Sequence, residues 1–271
     1  MGLRTCTVFV DNPSYRNSDF GVRCGIAVLA LVALPWTGNV TPLAGQSDYR
    51  GVAVADGAEL VGTAVFSGEV LEPRRLLVTK DEGVCGFGYL ERTEVKVGEN
   101  RGLAGGVVVV EGIQEGKAWP ESPGGYVLDQ KDCVFLPQLL VVPRASDVDI
   151  VNSDPVLHHV HAYELIDGSG RTLFNLGQPR SKEVIVQQLR PRLGNLVRLE
   201  YDAHDFMQGW IYAADSPYWA VTRGDGTFII EDVPPGEYSI TAWHPSLVVR
   251  QHRVSLSAGG AAELVLEFTD E

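Results

Sequence analysis

The chain has 271 residues, room for a leader segment and one or two domains, and its 45% hydrophobic content with 30 Gly and 15 Pro describes a turn-rich globular protein rather than a disordered one. A formal net charge of −13 argues against nucleic acid as a partner, because phosphate backbones are held by clustered Lys and Arg. The first 57 residues hold four Arg against four Asp, so the acidic excess falls on the remainder, where it either favours basic or neutral partners or keeps an exported domain soluble.

Arg4, Arg16 and Arg23 precede the apolar run from Gly25 to Leu34. A basic flank before a short apolar core is the form of a secretory signal. The run alone is too short to cross a bilayer, yet no charged residue occurs between Arg23 and Asp48, so a stretched membrane anchor is the other reading. Pro42-Leu43-Ala44 is a poor cleavage signal and leaves removal of the leader open. Residues 1–46 are assigned to a signal sequence or uncleaved anchor and 47–57 to a linker. The expected location is the periplasm or the extracytoplasmic face of a membrane. Cys6 and Cys24 fall in the leader, and there is no C-x-x-C. In an exported chain Cys85 and Cys133 are expected to form a disulfide; two unrelated buried thiols are the alternative.

From about residue 58 the pattern is strands, with helical periodicity essentially absent, so the fold class is all-β. Leu60–Phe66 is the first strand, and Val107–Val110, a β-branched run between glycines, suits a buried strand. Short strands follow at Cys133–Pro137, Leu139–Pro143 and Val148–Asn152, then a histidine-rich strand through His158, His159 and His161, then Val184–Val186, Leu196–Tyr201 and Trp210–Tyr212. In the tail, Asp225-Gly226 predicts a hairpin turn and Pro234-Pro235-Gly236 a second turn. No nucleophile elbow, phosphate-cradling glycine loop or zinc-protease helix is present, so nothing in the sequence supports an enzyme.

Four phrases in order, Phe135-Leu136-Pro137-Gln138-Leu139-Leu140-Val141-Val142, Val148-Asp149-Ile150-Val151-Asn152-Ser153-Asp154, His158-His159-Val160-His161 and His204-Asp205-Phe206-Met207-Gln208-Gly209-Trp210-Ile211, resemble a cupredoxin, the blue-copper Greek-key β-sandwich. The tail, Asp225 to Ile240, resembles the carboxypeptidase regulatory-like domain, a non-catalytic transthyretin-like sandwich. Residues 215–271 supply only about four strands, few for a two-layer sandwich, while 58–122 hold phrases with which such domains begin. The expected architecture is therefore two β-sandwiches: 58–122 together with 215–271 in one, and a cupredoxin-like domain over 123–214 inserted between, with a Cys85–Cys133 bond stapling the two. Two strictly sequential domains are the alternative.

The cupredoxin resemblance implies a copper site, with His158 and His204 as imidazole ligands and Met207 as the axial thioether. At the position of the cysteine ligand stands Tyr201. Val197, Leu199 and Tyr201 alternate with Arg198, Glu200 and Asp202, which points the Tyr201 ring to the inner face. A neutral phenol is a poor copper ligand, so ordinary blue-copper electron transfer is not expected. Three outcomes stay open: a site filled by Tyr201 that holds no cofactor; a weakly coloured copper site on His158, His204 and Met207, helped by His159 or His161 although alternation puts these two on the opposite face; or histidines that meet a partner. Asp202 and Asp205 flank His204 and could orient it, and His244 and His252 are read as structural. The resulting expectation is a non-catalytic accessory or docking subunit of a membrane-bound electron-transfer complex, photosynthetic or respiratory, with that complex or a cytochrome as partner. A copper carrier or non-blue copper electron-transfer protein is the alternative, and adhesion to carbohydrate through the second sandwich is a third.

Overall fold

Period-two burial governs the strands of the computed structural model, which describes residues 49–180, 183–202 and 206–270. The leader expected over 1–46, with Cys6 and Cys24, lies outside these residues, as do His204 and Asp205. Among the described residues no helix is long and apolar enough to cross a membrane.

The first sandwich packs a four-stranded sheet, in spatial order Val134–Leu136, Tyr126–Lys131, Asp147–Asn152 and Ile185–Gln188, on a five-stranded one. The latter runs Leu139–Pro143, Gln208–Ala214, Leu196–Glu200, His158–Ile166 and Ser169–Gln178. Leu128, Phe135 and Ile150 from one sheet meet Val142, Val160, Val197, Leu199 and Ile211 from the other. The second sandwich sets Trp219–Val221, Val107–Val110, Gly236–His244 and Leu247–Leu256 against Thr227–Val233, Ala58–Phe66 and Ala261–Phe268. Its core joins Leu60, Ala64, Phe66, Phe228 and Leu266 to Val108, Val110, Ile240 and Ala242. The chain therefore enters the second sandwich, leaves it to build the first over residues 126–214, and returns. Gly62 has no side chain because the ring of Phe228 and the carbonyl of Leu264 occupy the space a Cβ would take.

Two turns behave differently from their local chemistry. Asp225-Gly226 does reverse the chain, with Arg223 N donating to the Thr227 carbonyl at 2.9 Å, and Pro234-Pro235-Gly236 does separate two strands. Neither closes a hairpin. Trp219–Val221 and Thr227–Val233 belong to opposite sheets, and so do Thr227–Val233 and Gly236–His244. Both turns are corners that carry the chain from one layer to the other. The hairpin in this region is instead Gly236–His244 with Leu247–Leu256, closed at Pro245-Ser246.

Residues 74–92 correct the boundary drawn from sequence. Arg74–Leu77 pairs antiparallel with Tyr89–Arg92, and a single helical turn, Glu82–Cys85, lies between them. Although this excursion falls within 58–122, its Val78 and Cys85 are buried in the core of the first sandwich, with Leu76, Val84 and Leu90 packed against it. The disulfide Cys85–Cys133 forms, with Cα atoms 5.3 Å apart. It fastens the excursion to the sandwich on which the excursion already packs, and so does not staple one sandwich core to the other. Apolar side chains follow the nearest core available, which proximity in sequence does not decide.

A third cluster joins the sandwiches. Val107, Val109 and Trp243 face Val141, Trp210, Tyr212 and Ala214, with Trp119, Leu139, Leu165, Leu196, Trp219 and Val221 at its margin. This explains the all-apolar valine run: Val108 and Val110 fill the core of the second sandwich, while Val107 and Val109 fill the interface. Gln208–Ala214 is its counterpart, with Ile211 and Ala213 turned into the first core and Trp210, Tyr212 and Ala214 into the interface.

Candidate functional site

Alternation along His158–Ile166 buries His158, Val160 and Ala162 on the inner face and sends His159 and His161 outward, half-buried. The same rule puts Val197, Leu199 and Tyr201 in the first core. The rings of His158 and Tyr201 meet edge to face, centroids 5.6 Å apart, and Met207 and Phe206 lie in the same core. Of the residues implied by the cupredoxin resemblance, the structure thus brings His158, Tyr201 and Met207 to one sandwich interior; His204 is outside the described residues.

His158 is fixed by Asp154. Its Nε2 donates to Asp154 Oδ2 at 2.7 Å, and the same carboxylate accepts the backbone N–H of Asp132 at 2.8 Å and of Cys133 at 2.9 Å. The Nε2 bond sets the tautomer and fixes the plane of the ring. The Tyr201 hydroxyl donates to the Leu157 carbonyl at 3.3 Å. Burial, with Asp81 nearby, pushes this phenol above its ordinary value, which disfavours the phenolate a metal would need.

Cys133, Asp154 and His158 lie close enough together to suggest a metal cluster, but the sulfur of Cys133 is bonded to Cys85. A disulfide sulfur is not a thiolate donor. Among the described residues the groups beside His158 include no thiolate: Cys85 and Cys133 are bonded to each other, and burial disfavours the Tyr201 phenolate.

On the outer face a separate network forms. His161 Nδ1 lies 3.0 Å from Asp202 Oδ1 and 2.7 Å from the Tyr163 hydroxyl, and its Nε2 is 3.1 Å from Thr172 Oγ1. The His161 and Tyr163 rings stack at 4.0 Å. Asp202, read from sequence as an orienting group for His204, is engaged with His161, and His204 itself lies outside the described residues. His161 is thus committed away from His158, and His159 sits with its ring 5.5 Å from that of Tyr201.

The five-stranded sheet also forms one wall of a cavity of about 530 Å³ that opens between the sandwiches. Arg198 and Trp210, cross-strand partners, come from that sheet; Arg74 and Arg92, partners across the excursion hairpin, from another side; Lys96 and Glu94 from the chain that follows; His244 from the second sandwich. Sequence reading missed this site because Arg74, the stretch 92–96 and Arg198 lie far apart in the chain and come together only in the fold.

His244 lines the cavity as a buried neutral group. Burial lowers its pKa to about 4, against which a bond to the Ala104 backbone acts weakly, and its Nδ1 accepts the Ser246 N–H at 3.2 Å. Because the folded value lies below the unfolded one, the unfolded chain binds the extra proton first. Stability is retained above pH 6.5 and falls by about 3 kcal/mol between pH 6.5 and 4. His244→Asn should flatten that portion of the pH profile relative to the parent, as read from denaturant midpoints at several pH values. An unchanged difference between the two across this window would refute it.

The architecture defines an all-β protein of two sandwiches. The model for domain II of polysaccharide lyase family 4 matches residues 199–264, a stretch that begins in the last part of the first sandwich and runs through most of the second. No curated protein matches. Among solved structures, a purple cupredoxin from Nitrosopumilus maritimus is 14% identical with a TM-score of 0.28, the match covering 33% of this chain and 99% of that one. A copper-containing nitrite reductase from Thermus scotoductus SA-01 is 17% identical with a TM-score of 0.27; that match covers 36% of this chain and 24% of the reductase, about a quarter of its length.

Proposed function

We propose that this chain is a non-catalytic, exported cupredoxin-like protein that serves as an accessory or docking subunit of a membrane-bound electron-transfer complex, photosynthetic or respiratory. The observation that carries the reading is Tyr201: its buried hydroxyl stands where the cupredoxin resemblance puts a thiolate, beside a histidine fixed by Asp154. A scaffold whose redox ligand is lost keeps its surface. Leu157 next to His158, Val134 next to Cys133, and Phe87, Tyr89 and Leu77 on the excursion held by that cysteine all expose apolar side chains, Phe87 at 79%. Their sequence neighbours are joined through the Asp154 bonds and the disulfide. The net charge of −13 suits a partner with a basic face, such as a cytochrome. Export and attachment through the N-terminal segment belong to the same proposal.

The test is purification from native membranes in mild detergent, with haem absorbance and metal content followed through the column. Co-elution with a haem-bearing complex, with far less than one copper per chain, is expected. A free monomer would end the docking reading.

A second reading, a copper carrier or non-blue copper protein using His158, His204 and Met207, is favoured by one feature. Asp154 fixes the orientation of His158 in the same core as the Met207 thioether. Stoichiometric copper that disappears in His158→Ala would establish that reading in place of the first.

A further inference from the structure

The cavity between the sandwiches concentrates positive charge on an acidic protein. Four cations line it, Arg74, Arg92, Lys96 and Arg198, against one acid, Glu94, in a chain of net charge −13. Arg74 and Arg92 are direct cross-strand partners, an arrangement in which like charges repel. Glu94 is what makes it tolerable: its Oε1 accepts from Arg92 Nη2 at 2.7 Å and Nε at 3.0 Å, and from Arg74 Nη1 at 3.4 Å. One oxygen thus serves two guanidinium groups. Lys96 Nζ donates to the neutral Gln138 Oε1 at 3.3 Å. Arg198 Nε lies 2.8 Å from Glu200 Oε1, an ion pair by distance that lacks hydrogen-bond alignment.

We propose that this cavity is a binding site for a small polyanion bearing at least two carboxylate or phosphate groups. The volume of about 530 Å³ suits a compact organic ligand. Guanidinium groups on two walls present planar donors matched to carboxylate and phosphate oxygens, and Lys96 adds a point charge. Trp210 supplies an apolar wall on which the body of the ligand rests. Glu94 acts as the built-in competitor, holding the arginines in place when the site is empty and opposing the arriving anion.

That role for Glu94 makes the test directional. Calorimetric titration of the full chain with citrate and, separately, with pyrophosphate should show saturable binding of at least one, weakening with added salt. Glu94→Gln removes the competing charge and should tighten binding about fivefold, while Lys96→Ala should weaken it about fivefold. The tighter of the two probes identifies the ligand group as carboxylate or phosphate. Both substituted residues are at least partly exposed, and thermal unfolding of each variant with and without probe gives a second readout: the increment from ligand should be larger in Glu94→Gln and smaller in Lys96→Ala than in the parent. Absence of saturable binding to both anions overturns the proposal. So does an affinity indifferent to both substitutions, which would mark an adventitious anion only, or an affinity that falls in Glu94→Gln. None of these results bears on docking, which is read from co-purification.

Discussion

Replacing Cys85 and Cys133 together by alanine should lower stability by about 4 kcal/mol, the chain-entropy value for a loop closed across 48 residues. Alanine is the right replacement because both positions are buried, and serine would add an unpaired hydroxyl to the core. The loss should not be spread evenly. The bond fastens residues 74–92 to the first sandwich, on which the segment also packs through Leu76, Val78, Val84 and Leu90. In the double variant the excursion should open ahead of the rest, so brief proteolysis should cut near residues 79–88 while both sandwiches stay folded. The denaturant midpoint measures the overall loss and the cleavage pattern locates it. A change under about 1 kcal/mol with no new cleavage would mean that the apolar contacts alone secure the segment. Since Arg74 and Arg92 ride on the excursion, the same variant should also lose the polyanion affinity proposed above.

Trp210→Ala is the second substitution with a large effect, expected at about 3–5 kcal/mol for a buried aromatic truncated in place. Trp210 sits where the sandwiches meet: its ring packs edge to face on Trp243 at 5.3 Å, and its strand is apolar on both sides. Deleting the indole removes contacts from the interface rather than from either core. The parent should therefore unfold in one transition, with the sandwiches coupled through Val107, Val109, Tyr212 and Trp243, and the variant in two, with a reduced denaturant slope for each. Calorimetry distinguishes the cases. A single transition at an unchanged midpoint would show that the sandwiches are coupled elsewhere.

Much of the β architecture could be read from local pattern, and particular residues show how. The valine run predicted a buried strand and is one, and the structure buries it on both faces, because continuous β-branched apolar residues have no face to offer water. The strand from Leu196 predicted Tyr201 on the inner side, and there it lies, because period two is a property of the extended backbone itself. The disulfide follows from two cysteines in a chain expected to be exported. The turns were half legible. Asp225-Gly226 and Pro234-Pro235-Gly236 announced reversals of the chain, but backbone chemistry at a turn says nothing about which sheet the next strand joins. The excursion was missed for a related reason: its apolar residues are unremarkable until the core they fill exists.

The site divides in the same way. His158, Tyr201 and Met207 could be singled out because a ligand pattern is written in residue type and order, but the bond from His158 to Asp154 and the commitment of His161 to Asp202 and Tyr163 came from how strands align. The cationic cavity could not be read, since Arg198 meets Arg74 and the charged stretch 92–96 only when the first sandwich and the excursion come together.

What the chain's own letters determined is whatever repeats along an extended backbone: strand against helix, inward against outward. What the tertiary structure alone decided is which strands became neighbours, which core received residues 74–92, and which charges came to face one another across open space. The division has one cause. Side-chain alternation is set within a few bonds, whereas pairing between segments tens of residues apart is settled only when loops close and apolar surface is buried, so groups that meet across those loops leave no mark on the sequence between them.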